Sequence, residues 1–298
     1  MSSIAALKLD HLVGKRVGSS TLLREIARGG MSVVFAAYQN TLKRQIAVKI
    51  LPKDLITPTT AEIFTQEAEA AAILSHPNII PIYEVGDAGD FLFFTMQLVR
   101  GRALSEYIAS ARKNVLPSRR TLPIRATIRI ITEVLDALEF AHSQDIIHRD
   151  IKPGNILIEA HTKRPIVTDF GVAQVSRNPL GGASMIVGTP LYMPPEQITN
   201  PEVDGRADIY ATGTTMLEML VPEPLFTGVG SVEKLFRLKL ERRDGFYTKR
   251  PSELNPLLDG EIDQILLKAL SYERETRYQT CQTFREDLER YVNKHLRN

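Results

Sequence analysis

Ten residues near the middle of the chain, His148 to Leu157 in the order HRDIKPGNIL, restrict the fold more than any other stretch. They set an acid, a lysine and an amide at Asp150, Lys152 and Asn155, while Pro153 and Gly154 force a loop between two apolar runs. In such a loop three polar heads can converge on one point. A carboxylate able to take a hydroxyl proton, a cation for phosphate charge and an amide oxygen for Mg²⁺ make up a phosphate-and-metal site.

The chain of 298 residues is long enough to bury a sizeable core as one large domain or two lobes. With 43% apolar and 24% charged residues and a net charge of +2, neither disorder nor bulk attraction to nucleic acid is expected. A single cysteine, Cys281, excludes an internal disulfide framework and a cysteine-based metal cluster, which points to a reducing compartment. The opening residues have too short an apolar run for a signal sequence, and no other stretch is apolar enough to span a bilayer. The expectation is a soluble, cytoplasmic chain without membrane contact of its own, with a longer membrane-anchored protein left open.

From Thr21 the pattern is strand-like through Leu22, Leu23 and Ile26, turns at Gly29 and Gly30, and resumes at Val33, Val34 and Phe35. A glycine turn there lets a backbone approach a phosphate, or simply reverses the chain. Gln45 to Leu51 reads as a buried strand carrying Lys49, which either has a partner or snorkels from a half-exposed face. Pro58, Thr59 and Glu62 have capping-box spacing, so a helix is expected to run from there until His76 and Pro77. If Phe64, Ala68, Ala71 and Ala72 form its packed face, Glu67 can reach Lys49 and Glu62 points outward. Strands at Ile79 to Val85 and Phe91 to Gln97 flank a turn at Gly86 to Asp90.

After Gly101 the pattern becomes helical. Ile124, Ile128, Ile131, Leu135 and Leu138 mark an amphipathic helix entered at Pro123. The cluster Arg112, Lys113, Arg119, Arg120 and Arg125 reads as a solvated loop or as a site for an acidic partner. A short hairpin, Ile156 to Ile158 with Ile166 to Val167, delivers Asp169, Phe170 and Gly171. Asp208 to Val221 is apolar nearly all round and should be buried. Tyr272 to Tyr278 reads as a charged turn and Phe284 to Leu296 as a closing surface helix.

These residues resemble the protein kinase family, and closely its bacterial Ser/Thr branch. Gly-rich hairpin, strand Lys, helix Glu, HRD-x-K-P-x-N, DFG and a PPE triplet follow one another in the family's order from about Thr21 onward. The resemblance implies an α+β, two-lobed kinase-like fold: an N-lobe of antiparallel sheet plus one helix, and a mainly helical C-lobe. The expected division is an extension over 1–18, the N-lobe over 19–97, a hinge at 98–101 and the C-lobe over 102–298. The implied activity is transfer of the γ-phosphoryl of ATP to Ser or Thr of protein substrates, with Mg²⁺, or Mn²⁺ in its place, as the metal.

Carried over residue by residue, Ala27, Arg28, Gly29, Gly30, Met31 and Ser32 would cover the ATP phosphates. Ile26, Val34 and Ala47 are further nucleotide-binding positions, Met96 resembles the gatekeeper, and Gln97 to Val99 the backbone that reads adenine. Lys49 would hold the α- and β-phosphates while paired to Glu67. Asp150 would accept the hydroxyl proton, Lys152 steady the phosphoryl group, and Asn155 and Asp169 bind the metal. Thr189 resembles the threonine that contacts the catalytic Asp and Lys. Asp208 resembles the anchor of the HRD backbone, and Glu196 with Arg277 the buried pair behind the PPE turn. The segment Gly188 to Gln197 would shape a platform for a peptide.

The chain departs from the family at Ala27 and Ser32, which replace two lid glycines, at Pro194, and in lacking any Lys or Arg between Thr59 and Leu74. A phosphate on the activation loop would therefore be gripped by Arg149 with a second cation from elsewhere, for which Arg177 is the candidate. Ser176 and Ser184 are the hydroxyls between Gly171 and Gly188, and Ser184 is the expected autophosphorylation site unless both are ordinary loop residues. A homodimer is the assembly in which autophosphorylation would take place. Two rival readings are a pseudokinase and a small-molecule phosphotransferase. Lys49, Asp150 and Asp169 together speak against the first, and the peptide platform against the second.

Overall fold

Apolar residues alternate with polar or smaller ones from Ser20 to Pro52, and this stretch forms three long antiparallel strands: β2 (Ser20–Arg28), β3 (Val33–Gln39) and β4 (Arg44–Pro52). The computed structural model describes residues 10–29, 32–53, 57–170, 190–199, 203–225 and 231–296. The chain divides into two compact units, Met1–Arg100 and Gly101–Asn298.

In the first unit β1 (Arg16–Val17), β5 (Ile82–Asp87) and β6 (Phe91–Met96) complete an antiparallel sheet of order β1-β2-β3-β4-β6-β5. Val33, Phe35 and Ala37 of β3 meet Ile46, Val48 and Ile50 of β4 on one face, with Phe91 and Phe93 beside them and Leu12 and Val17 closing the cluster. Each large side chain buried there contributes about 1.5–3 kcal/mol.

The helix α1 (Pro58–Ala72) is capped two residues earlier than the capping-box spacing of Thr59 and Glu62 suggests. Thr57 is its N-cap, accepting from the Thr60 N–H at 3.2 Å, with Pro58 as the first helical residue. Proline needs no N–H at that position, so the cap falls on the residue before it and not on Thr59. The helix also ends at Ala72, short of His76, because the Leu74 N–H turns back to the Ala71 carbonyl. Phe64, Ala68 and Ala71 are buried as expected, whereas Ala72 is exposed and lies off the stripe. β5 starts only at Ile82, directly after Pro81, which cannot donate to a ladder.

The second unit carries the three-stranded sheet β7 (Gly101–Ala103), β8 (Ile156–Glu159) and β9 (Pro165–Val167), in that order. Gly101 is required at its start, because a Cβ there would sit 2.1 Å from the Ile158 carbonyl oxygen. The helices α2 (Leu104–Arg112) and α3 (Ile124–His142) precede the HRD loop. Further on come α4 (Pro195–Thr199), α5 (Arg206–Leu220), α6 (Val232–Arg242), α7 (Pro251–Leu254), α8 (Gly260–Ala269) and α9 (Cys281–His295). Only Arg206 and Glu218 of α5 escape full burial, so this helix is the centre of the unit, with α3 and α8 packed on it.

Two expectations change here. Arg112 is the last residue of α2 and not part of a solvated loop: its Nη1 meets Glu218 Oε1 at 3.0 Å. The closing helix begins at Cys281, capped by Thr280, and buries Cys281, Phe284, Leu288 and Tyr291 against its neighbours, including α3. It is thus a half-buried helix. No helix among the described residues is long and apolar enough to cross a membrane.

Candidate active site

Directly opposed residues of an antiparallel pair point to the same face of a sheet. The register pairs Ala27 with Val34, Val34 with Lys49, and Ala47 with Met96, so these five residues share the sheet face opposite the Phe35 and Val48 core. Phe94, paired with Lys49, is on that face too, and its ring lies 5.0 Å from that of Phe64 in α1. Lys49 is buried with Nζ 5.3 Å from the Phe94 ring centroid, a cation–π contact on an apolar floor. Glu67 lies in α1 one turn after Phe64, and its side chain falls outside what is described.

The remaining lid residues distribute differently. Gly29 donates its N–H to the Ser32 carbonyl at 2.8 Å between β2 and β3. Arg28 pairs with Val33 and reaches Glu25 with Nε at 2.8 Å, while Ile26 stands at a register shift in β2. Gly30 and Met31 lie outside the described residues. Gln97 follows β6, its N–H bonded to the Pro81 carbonyl at 3.2 Å, and Val99 lies two residues on.

The second unit gathers the loop residues. Lys152 Nζ lies 2.6 Å from Asp150 Oδ2, and Asn155 Nδ2 donates to the same oxygen at 3.0 Å and to the Asp150 carbonyl at 2.9 Å. Acid, cation and amide therefore do converge. Because the Asn155 amide nitrogen is committed to Asp150, the amide oxygen is the atom turned away from it and suited to a cation.

Strain and anchoring explain how the loop holds this shape. Arg149 has φ +63° and Asp169 has φ +56°, a region that costs a non-glycine residue about 1–3 kcal/mol when the surroundings enforce it. The enforcement at Arg149 comes from both sides of its backbone. Asp208 Oδ1 accepts from the Arg149 N–H at 2.8 Å and Oδ2 from the His148 N–H at 2.9 Å, while Gln197 Nε2 donates to the Arg149 carbonyl at 3.2 Å.

His148, fully buried, links this loop to the one carrying Asp169. The Asp150 N–H donates to its Nδ1 at 3.2 Å, which leaves the Nε2 proton for the Thr168 carbonyl at 3.0 Å. Its ring packs 4.6 Å from that of Phe170. Thr168 in turn donates its N–H to the Asn155 carbonyl at 2.9 Å, so the residue before Asp169 is fixed beside Asn155. One amide oxygen and one carboxylate suit Mg²⁺, which keeps several waters and takes its other ligands from phosphate.

Burial pushes the Asp208 carboxyl up, yet the His142 hydrogen bond and charge, with the His148 amide, more than offset this and leave it below the usual range. Burial likewise pushes His142 down, and Asp208, followed by Glu139 and Asp204, more than restores it, so it is raised. The raised histidine stabilises fully below its unfolded value of about 6.5 and loses that contribution as pH rises through its folded value. The lowered acid stabilises above about 3.9 and loses its contribution as pH falls through its folded value. The pair is therefore expected to stabilise most between roughly pH 4 and 6.5. Melting curves across pH should show His142→Gln removing the alkaline part of this profile; an unchanged profile would contradict the coupling.

Three side chains here had no role in the sequence reading. His142 completes the anchor with Nε2 2.8 Å from Asp208 Oδ2, and only its position just ahead of the HRD loop hinted at it. Tyr192 donates its hydroxyl to Glu218, which Arg112 also grips. Lys239 recurs three residues after the buried Phe236. The expected pair forms as a fork, Arg277 Nη1 to Glu196 Oε1 at 2.6 Å and Nη2 to Oε2 at 2.7 Å. Ser176, Arg177, Ser184 and Thr189 lie outside the described residues.

Comparison with known proteins agrees with this geometry. Residues 20–288 match the family described as protein kinase domain. The chain is 36% identical to the serine/threonine-protein kinase PknB of Mycobacterium tuberculosis over 89% of its own length and 41% of that protein's. It is 32% identical to the serine/threonine-protein kinase Pkn1 of Myxococcus xanthus over 97% of its length and 40% of that protein's. It thus spans about two fifths of the curated relatives it matches. The crystal structure of the Mycobacterium tuberculosis PknI kinase domain superposes with a TM-score of 0.70 at 24% identity, covering 93% of this chain and 98% of that one, and shares its fold. The family uses ATP and a divalent metal ion, and its activity implies protein substrates. With a family match across nine tenths of its length and an HRD loop, Asp208 anchor and Glu196–Arg277 fork built as the motifs require, the chain belongs to the protein kinase family.

Proposed function

We propose that this chain is a protein Ser/Thr kinase that transfers the γ-phosphoryl of ATP to Ser or Thr hydroxyls of proteins. The observation that carries the reading is the Asp150 carboxylate flanked by Lys152 and Asn155. Asp150 would orient the acceptor hydroxyl and take its proton, while Lys152 faces the oxygens of the moving phosphoryl group. Lys49, from the sheet face shared with Ala27, Val34, Ala47 and Met96, would hold the α- and β-phosphates, with Glu67 as its pairing partner. Asn155 and Asp169 would hold Mg²⁺, or Mn²⁺ in its place, which supplies charge neutralisation on the phosphates. Transfer of this kind needs little covalent chemistry from the protein, so positioning and charge provide most of the rate.

In the domain scheme that goes with this reading, 19–97 and 102–298 are the two lobes and 98–101 the hinge. Residues 1–18 are the extension, of which the described part packs Leu12 and Val17 into the core of the first unit. Autophosphorylation within a transient pair of chains, at Ser184, extends the proposal to regulation.

Purified protein with Mg-ATP and a generic basic protein substrate should phosphorylate Ser or Thr, and chelating the metal should stop the reaction. ATP binding without any transfer, in wild type as in Asp150→Asn, would establish the pseudokinase reading instead.

A further inference from the structure

The lysine at 239 sits where a lysine is costly. It lies on the inner face of α6 beside Phe236, with 1% of its surface exposed. An apolar residue would fill that space without the desolvation penalty of an ammonium group, so the charge needs a reason. Its surroundings give one. Nζ donates to the Leu191 carbonyl at 2.8 Å and to the Met193 carbonyl at 2.6 Å, with the rings of Tyr210 and Phe246 at 5.1 and 5.3 Å.

Both acceptors belong to the segment that precedes Pro194 and Pro195. Carbonyls two residues apart, both taken by one ammonium, fix that segment as a unit. Between them Tyr192 bonds to Glu218 of α5. The two prolines offer no N–H and Pro195 starts α4, so neither can donate a backbone bond to help define the path of this stretch.

We propose that Lys239 is a positioning residue for the protein substrate: by holding the Leu191 and Met193 carbonyls it fixes the platform against which the acceptor peptide lies. This rests on the kinase reading above, in which Gly188 to Gln197 is that platform. Lys239 acts through the backbone it grips, and nucleotide handling does not pass through it.

The same geometry makes the grip sensitive to pH. Burial pushes the Lys239 ammonium down to about 7, partly countered by Glu196 and reinforced by Arg277. The groups facing it are Glu196 from α4, Arg277 from the turn before α9, Tyr210 from α5 and Phe246 beyond the end of α6, and Tyr247 meets the Tyr210 hydroxyl behind them. Tyr210 and Tyr247 are both raised by burial, away from the range in which the lysine changes charge. Losing its proton turns two charge-assisted bonds into weaker neutral ones.

The test compares wild type with Lys239→Met and Lys239→Gln in a peptide phosphorylation assay between pH 6 and 9, with thermal melting as the control for folding. Wild type should show a peptide KM that climbs above about pH 7. Lys239→Met should raise that KM by about tenfold at pH 6.5, leave the KM for ATP unchanged and flatten the pH profile. Lys239→Gln, with one donor group, should fall between. A folded Lys239→Met with the wild-type peptide KM and pH profile would overturn the proposal. If neither variant folds, a wild-type peptide KM constant from pH 6 to 9 does so. A wild type that binds ATP and phosphorylates no peptide refutes the kinase reading instead, which separates the two failures.

Discussion

Replacing Asp150 by Asn should lower kcat for peptide phosphorylation by about 10²–10⁴-fold, the range that a positioned general base contributes. The substitution keeps shape and removes the charge. In the native loop a single oxygen, Asp150 Oδ2, receives both Lys152 Nζ at 2.6 Å and Asn155 Nδ2 at 3.0 Å, so an amide oxygen at 150 can still accept both bonds but has neither the charge to hold the ammonium nor the basicity to take a proton. The acceptor hydroxyl loses both its orientation and the destination of its proton. Nucleotide affinity should change little, because the sheet face that carries Lys49, to which the proposed function assigns the nucleotide, is untouched by the change. The measurement is steady-state phosphorylation of a Ser peptide beside ATP binding by calorimetry. Retention of a tenth or more of wild-type kcat would assign the proton to another group.

The second large effect concerns stability. Arg277→Leu is expected to cost about 3–5 kcal/mol, the usual consequence of removing one partner from a buried ion pair. Arg277 has a side chain with no exposed surface, and besides the fork to Glu196 it donates to the carbonyls of Ser271 at 2.7 Å, Tyr272 at 2.9 Å and Arg206 at 3.2 Å. Leucine leaves a half-buried carboxylate and three carbonyls without these donors. Arg277→Lys should recover only a small part, since one ammonium cannot reproduce a planar fork with five bonds. Chemical denaturation measures the loss directly, and thermal melting should register it as a drop of roughly 6–20 °C. The double change Glu196→Gln with Arg277→Leu should be less damaging than the sum of the single ones, since the uncompensated charge disappears. A loss under about 1 kcal/mol for Arg277→Leu would mean the fork is not the tie that its geometry suggests.

Much of the fold was legible because its signals are local. Glycine and proline punctuate the hairpins, and the four-three spacing from Ile124 to Leu138 gives α3 within a few residues of its observed limits. The misplaced boundaries had competing local signals. Thr59 and Glu62 have the spacing of a capping box, yet Pro58 claims the first helical position and moves the cap to Thr57. Arg112 lies among other basic residues in sequence and so reads as part of a charged loop. Its partner Glu218 is 106 residues away, beyond the reach of any window.

The site divides in the same manner. Asp150, Lys152 and Asn155 fall within six residues of one another, and a loop that short can bring them together only in a few ways. Lys49 stood out locally only as a cation in an apolar strand, and it and Asp169 received their expected roles through the family's order of motifs. His142, Tyr192 and Lys239 could not have been found that way. Their roles depend on a carboxylate or carbonyl delivered from another element, and a histidine, a tyrosine or a lysine on a helix or turn is usually just a surface or core residue.

Sequence alone determined the order of β2 to β6 with α1, the donor and acceptor set of the HRDIKPGNIL loop, and the family. Residue type and spacing suffice for these, because turns, periodicity and donor sets act over a handful of residues. Asp208 was expected as the anchor of the loop from the resemblance, and tertiary structure alone supplied the atoms it holds, the part of His142 and the grip of Lys239. Asp208 grips the backbone of His148 and Arg149 from 60 and 59 residues away, and Lys239 holds Leu191 and Met193 from 48 and 46. Such contacts exist only after burial has desolvated the donor and removed water as a competing partner. The strained φ of Arg149 persists because those long-range bonds enforce it.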